Sequence, residues 1–511
     1  MEIEKDGCLV YDVIVIGAGN GGLMSALTLQ EKGKKVLLIE KENYVGGLSH
    51  SFVRGRFEFD LGLRGMLGYE NNATQGSLYH LFLRHQLEVE VASSKELYTL
   101  IAMNKKEIYD LPIGIEDFIE KIEEYVPRSK EPLKRFFDLV KEVNKAIKYL
   151  EENNNNPNKQ ILNREFKNFM TVAPYSTKRV LQSIHMPPKA REILESYALY
   201  LGCPATELSF VHYARVLVSL IQNGFTIPIH TSYDITSQIF EKYKELNGEY
   251  LLNSEVKEIL VSQNTAHGVI LKNGQKYESK YIIANISKRK VLESMIKKNL
   301  VPKSAMELEQ ARSLGARGIV VYLGLNKSAE ELNFKKYMYL IYNSLDSFKE
   351  FKKMKKTFSG NIVATIYNNA YASYSKKGTC IMEISSLIYG DDFTCHANSE
   401  NYLEIKDKIA DHFITTFENA TGKKIRDSIE EMEVATPLTF ARYSGHPSGV
   451  ILGYLPYKED GMIPRIVNAS KEKEIHNLSF CGSFASPTMG FASSLINGEK
   501  VALQCIKEME R

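Results

Sequence analysis

The feature that most constrains this chain is Gly17-Ala18-Gly19-Asn20-Gly21-Gly22, set between an apolar run and a helical pattern. Before it, YDVIVI (residues 11–16) is short, apolar and β-branched, as a strand covered on both faces should be. After it, LMSALTLQEKGKK carries helical periodicity up to Gly33, and residues 36–39 supply a second apolar strand that ends at Glu40. Strand, glycine turn, helix and strand within about thirty residues make a βαβ unit of the dinucleotide-binding kind. Gly17 permits the tight turn, Gly19 lets backbone approach a pyrophosphate, and Gly22 lets helix and strand pack closely. Asn20 and Gly21 lie where the helix begins, and a helix start offers N–H groups and a positive dipole end to phosphate. Glu40 is placed to accept hydrogen bonds from ribose hydroxyls.

Composition sets the outer bounds. A chain of 511 residues exceeds what one compact core serves, so two intertwined domains or more are expected. With 44% apolar and 25% charged residues it has the make-up of a soluble globular enzyme, which excludes wholesale disorder, a fibre or a polytopic membrane protein. A net charge of +3 offers no electrostatic case for nucleic acid. The six cysteines form no CxxC pair, so neither a zinc site nor a redox dithiol is expected, and reduced thiols fit a cytoplasmic protein. No signal peptide and no run of 18 apolar residues is visible.

Lys41 follows Glu40, and six residues beyond Glu40 comes a second glycine pair, Gly46-Gly47, followed by Leu48-Ser49 and then Phe57-Glu58-Phe59-Asp60-Leu61-Gly62. A glycine pair so close to the acidic strand end can bring further backbone N–H groups to a diphosphate. Together these residues resemble the phytoene desaturase, carotenoid isomerase and retinol saturase group of FAD-dependent oxidoreductases. The resemblance favours FAD over NAD as the bound nucleotide, and implies that the stretch after Gly47 runs beneath the flavin.

The likeness returns further along. Residues 226–285 read as a helix around 235–246 and a β-meander with turns at Gln263-Asn264 and Asn273-Gly274. In it, Asn253-Ser254-Glu255-Val256 resembles the place where a valine backbone, here Val256, meets adenine. The return strand ends in Asn285-Ile286-Ser287-Lys288, where the group usually has Asn-Ala-Asp-Pro. Residues 434–454 again resemble the isomerase and saturase branch. Near the C-terminus, residues 477–483 form a short strand ending in Gly482-Ser483, with a helix from about Phe491. The resemblance implies that Gly482 sits by the pyrophosphate and that Met489, Gly490, Phe491 and Ala492 meet the flavin. It commonly has an acid where Ser483 stands, so altered FAD affinity is expected.

Elsewhere the pattern is less specific. Residues 71–225 read mainly as helices, including 133–150; residues 208–220 are an apolar helix, serving either core packing or the lining of a greasy tunnel. Phe348, Phe351, Met354 and Phe358 recur at helical spacing among lysines, a solvated helix face or a peripheral contact with an anionic membrane. No Ser-His-Asp order, HExxH motif or carboxylate pair stands out, so no catalytic residue is named. His212 and His230 fall in the presumed substrate half, and Arg64 and Tyr443 near the cofactor segments.

The expected architecture is α/β: a discontinuous Rossmann-type FAD domain (1–70, 226–295 and 441–511) and an α+β substrate domain (71–225 and 296–440). The implied activity is redox or isomerising chemistry on a C–C or C=C bond of a long apolar polyene, with an electron donor or acceptor that the residues do not identify. An unsaturated fatty acid or an amine is the alternative substrate. A non-enzymatic prenyl-lipid carrier of the dissociation-inhibitor type is the alternative class.

Overall fold

A computed structural model of the protein describes residues 10–69, 76–153, 157–390, 392–459, 475–485 and 490–511. Its first sheet runs in the order Val256–Ser262, Thr265–Leu271, Lys276–Ala284, Val10–Ile16, Val36–Ile39, Glu249–Leu251. The first three strands are antiparallel and the last four are mutually parallel; Leu478–Phe480 adds in parallel to Lys276–Ala284. The meander turns where expected: Gln263 and Asn264 both have positive φ, as a two-residue hairpin turn requires. Val13 and Val15 pack under the helices Asn20–Glu31 and Phe491–Met509, while Ile14 and Ile16 face the meander side. Burial on both faces explains the unbroken apolar run of the first strand.

The second sheet has the order Ile429–Ala435, Arg317–Leu325, Cys380–Ile388, Ile362–Ile366, Met338–Tyr342, Tyr98–Ala102, Glu107–Leu111. All its pairs are antiparallel except Met338–Tyr342 with Tyr98–Ala102. Ile319, Val321 and Leu323 pack with Phe413 and Phe417 of the helix Tyr402–Thr421. Val320 and Tyr322, one residue out of phase, join the core built by the helices Lys130–Glu152, Pro188–Tyr200 and Phe210–Asn223. The fold is therefore α/β, a Rossmann-type nucleotide sheet beside an α+β body. Residues 450–457 run along the α+β body, with Ile451 N donating to Ala316 O and Ser209 N to Pro456 O.

The aromatic and lysine pattern at 348–358 does not make a continuous helical stripe. The helix ends at Lys353, Phe351 packs on Tyr389 with ring centres 4.6 Å apart, and Met354 is buried. Phe348 and Phe358 stay largely exposed. Among the described residues no helix is long and apolar enough to cross a membrane. The described cysteines Cys203, Cys380, Cys481 and Cys505 are buried and unbridged.

Candidate functional site

One cavity, about 410 Å³, runs from the glycine turn of the first sheet into the space between the helices and the second sheet. Its nucleotide half is built by local geometry. Gly17 has φ +90°, and its N–H donates to Ile39 O at 2.8 Å, turning the chain out of the strand. A Cβ at Gly22 would overlap the Gly17 carbonyl oxygen, so Gly22 shapes the turn without lining the cavity. Gly46 N donates to Ala18 O at 2.8 Å, which brings the second glycine pair against the first turn.

Glu40 ties these loops together: Oε2 accepts from Ala18 N at 2.7 Å and Oε1 from Glu42 N at 3.0 Å. Burial pushes its carboxyl up, against those two N–H groups and Lys41. Asn20 Nδ2 donates to Ser49 Oγ at 2.8 Å, while its Oδ1 is buried without a protein partner. Gly17, Gly19, Asn20, Gly21, Glu40, Lys41, Gly46, Gly47, Leu48, Ser49, Val256, Gly482, Ser483, Gly490 and Phe491 all line this cavity. Ala492 does not, and packs instead beneath the first sheet. Met489 lies outside the described residues.

Three features were not legible as site features. Asn285 stands at the centre of the turn: a Cβ at Gly19 would come 2.9 Å from its Nδ2, and one at Gly21 2.8 Å from its Oδ1. Asn497, a turn and a half into the last helix, accepts from Gly482 N at 3.0 Å. His446 lines the cavity beside Phe484, with ring centres 4.9 Å apart and Nδ1 2.9 Å from Val450 O. Burial pushes its imidazole down to about 4, and Lys41 and Lys290 act the same way, so it is neutral at pH 7.

The other half begins at the loop 61–66, whose backbone is braced at most of its positions. Asp60 Oδ1 accepts from Gly62 N and Leu63 N at 3.0 and 2.9 Å, and its Oδ2 from Ser232 N. The hydroxyls of Tyr322, Tyr367 and Tyr337 donate to the carbonyls of Leu61, Leu63 and Arg64 at 2.7, 3.2 and 2.7 Å. Arg64 reaches the buried Glu383, Nε to Oε2 3.2 Å. Burial pushes Glu383 up to about 7, with Arg64 opposing the shift. Beyond the loop, Leu199, Leu201, Val216, Leu220, Phe225 and Val363 form an apolar wall. In the helix Phe210–Asn223, Val211, Tyr213 and Leu217 are core, while Val216 and Leu220 line the cavity. His212 lines the cavity; His230 is exposed beside a separate cleft near Tyr69, and Tyr443 sits half-exposed at the nucleotide mouth.

Two helix N-termini open on one cavity, at Gly19 and Gly490, and neither has a side-chain cap. The N–H groups of their first turns, the glycine-lined approach and the orphaned Asn20 Oδ1 suit a long dinucleotide with a diphosphate at one helix start and an electron-rich ring at the other. These features fit a dinucleotide-binding protein whose cavity continues into a largely apolar chamber. The chain belongs to the family described as flavin containing amine oxidoreductase, which matches residues 21–338. It is an FAD-dependent oxidoreductase.

Among its relatives is a chloroplastic prolycopene isomerase of Daucus carota, 22% identical over 446 residues, 86% of this chain and 71% of that one. An all-trans-retinol 13,14-reductase of Rattus norvegicus is 25% identical over 66% of this chain, and the match spans 57% of the rat enzyme. A redesigned putrescine oxidase shares the fold with a TM-score of 0.67 at 14% identity, over 98% of this chain and 100% of its own. The carrier alternative falls with this assignment.

Proposed function

We propose that the protein acts on C–C or C=C bonds of a long apolar polyene, carotenoid- or retinoid-like, by desaturation, saturation or cis–trans isomerisation. The observation that carries this reading is the apolar wall of Leu199, Leu201, Val216, Leu220 and Phe225, continuous with the glycine cradle. Such a wall desolvates and aligns a chain of conjugated carbons but gives little purchase to a polar substrate. The names of the isomerase and reductase relatives support it. An amine substrate is disfavoured because the charged side chain at the substrate half is a cation, Arg64.

FAD, when bound, supplies the hydride chemistry. The residues proposed to hold it are the lining set from Gly17 to Ser49, Val256, Gly482-Ser483 and Gly490-Phe491. Glu40 would accept from the ribose, and the uncapped helix starts would face the diphosphate and the pyrimidine edge. The braced loop 61–64 would fix the floor on which the reacting bond lies, while the apolar wall excludes water. Segments 1–70, 226–295 and 441–511 are proposed as the FAD domain, and 71–225 with 296–440 as the substrate domain.

The test combines flavin analysis with a substrate panel. Denaturation of the purified protein should release stoichiometric FAD. Anaerobic incubation of oxidised and reduced enzyme with polyenes, unsaturated fatty acids and amines should give turnover of a polyene. Turnover confined to an amine would overturn the assignment.

A further inference from the structure

The helix Pro437–Ser444 ends on the wall of the cavity, where Tyr443, Ser444 and Gly445 line it, and the chain beyond is tightly held. Gly445 closes the helix at φ +68°, and His446 N donates to Ser444 Oγ at 3.0 Å. Residues Pro447–Gly449 then make one short turn, in which Gly449 N donates back to His446 O at 3.2 Å. A Cβ at Gly449 would overlap the Pro437 carbonyl oxygen, so this turn packs against the first residue of the helix. Helix end and turn together fix His446 on the cavity wall.

The ring has one orientation and one tautomer. It meets Phe484 edge to face, with ring centres 4.9 Å apart. Its Nδ1 lies 2.9 Å from Val450 O, and a carbonyl oxygen only accepts, so Nδ1 carries the proton. Burial, with the Lys41 and Lys290 ammonium groups, keeps the ring neutral. Nε2 is therefore left with a lone pair. Among the described residues no donor reaches Nε2, and the histidine keeps accessible surface on the cavity.

Position narrows the atom that completes it. A Cβ on Gly445 would stand 3.6 Å from Lys41 Nζ and 3.8 Å from Lys290 Nζ, while Phe484 directly follows Gly482-Ser483. His446 thus stands between the Glu40–Lys41 turn and the Gly482–Phe484 turn. Along that span a dinucleotide carries its sugars and diphosphate rather than its ring systems. A phosphate oxygen brings no proton and would set lone pair against lone pair. A sugar hydroxyl donates.

We propose that His446 Nε2 accepts a hydrogen bond from a hydroxyl of the FAD sugar chain, on the adenosine ribose or on the ribitol. His446 is then a cofactor-binding residue whose tautomer is set by Val450. The inference rests on FAD occupying this cavity and is independent of the substrate.

Two variants separate the ring nitrogens. Asparagine can keep the bond to Val450 O but cannot reach the Nε2 position, whereas glutamine can place an amide oxygen there. Dilution of the purified holoenzyme, followed by the fluorescence of released flavin, gives the FAD dissociation constant. His446→Asn should raise it about three- to ten-fold, the worth of one hydrogen bond, with the unfolding midpoint of the apoprotein unchanged. His446→Gln should stay within about two-fold of the wild type. FMN carries only the ribitol hydroxyls and ADP only those of the ribose; whichever His446→Asn apoprotein binds more weakly holds the contact. An unchanged FAD dissociation constant in His446→Asn overturns the proposal. Equal weakening in both variants also overturns it, by tracing the effect to the Val450 contact. Wild-type protein that takes up no FAD overturns the placing of FAD in this cavity, and the role of His446 with it.

Discussion

Arg64 Nε stands 3.2 Å from Glu383 Oε2, joining the loop beneath the cavity to an interior strand of the second sheet. The carboxylate is 1% exposed and the guanidinium 15%, so each charge depends on the other for its burial.

Removing the cation should expose that dependence. Burial raises Glu383 from 4.5 to about 7 in the folded protein, so its contribution to stability is fully present below 4.5 and lost as pH rises through 7. Arg64→Met should extend that loss to higher pH. It should cost about 3–5 kcal/mol at pH 8, the usual consequence of stranding a buried charge, and less at pH 6 where the carboxyl can take up a proton. Glu383→Gln, which imitates the protonated acid, should be milder at pH 6. Urea unfolding of both variants at the two pH values checks this; an Arg64→Met penalty independent of pH would contradict it.

Asp60 should prove structural. Asp60→Ala strands the N–H groups of Gly62, Leu63 and Ser232, each left unmade at about 1–3 kcal/mol where water cannot reach it. The expected result is a marked fall in the denaturation midpoint and faster amide exchange at residues 61–65, with FAD retained at low temperature. Unchanged exchange in that loop would mean that the tyrosine braces suffice.

Two glycine substitutions should separate cradle from strain. Gly22→Ala places a Cβ on the Gly17 carbonyl oxygen, so the turn must move and FAD content should fall steeply. Gly33→Ala meets nothing within 4 Å but keeps a φ of +72°, so it should cost about 1 kcal/mol of backbone strain and leave FAD content intact. Absorbance of the purified variants gives the flavin occupancy directly.

His85 should shape the pH profile of stability. Its Nδ1 lies 2.8 Å from Glu31 Oε2 and its Nε2 3.2 Å from Glu499 Oε1, linking three helices. Burial alone would lower the imidazole, but the two carboxylates push it up to about 9 from 6.5. Burial would likewise raise Glu499, yet His85 and Arg84 hold it at about 2 against 4.5. The histidine term is complete below 6.5 and lost as pH rises through 9; the glutamate term is complete above 4.5 and lost as pH falls through 2. Thermal unfolding should therefore show its highest Tm between about 4.5 and 6.5, and His85→Ala should flatten the alkaline limb.

The glycine-lined end of the cavity is legible because it is local. Gly17, Gly19, Gly22 and Glu40 lie within one βαβ unit, where chain connectivity alone brings them together and each residue type answers a steric or hydrogen-bonding need. Gly46-Gly47 and the Gln263-Asn264 turn could be read for the same reason. Ala492 was misplaced because the resemblance located a helix start without fixing which residues of its first turn face inward. The aromatic stripe at 348–358 misled because periodicity does not show where a helix stops.

In the second sheet, which partner each residue meets is a matter of register. Glu383 pairs with Tyr322 across the sheet, and that register puts both on the face of the braced loop. A slip of one residue would have turned Glu383 towards the helix Tyr402–Thr421 and left Arg64 buried without a counter-charge. The sequence by itself determined a dinucleotide-binding α/β protein, because glycine spacing and apolar runs act over a few residues. Only the folded molecule makes the chamber, since its tyrosines, its ion pair and the Asn285 contacts join segments hundreds of residues apart, through packing that local pattern does not encode.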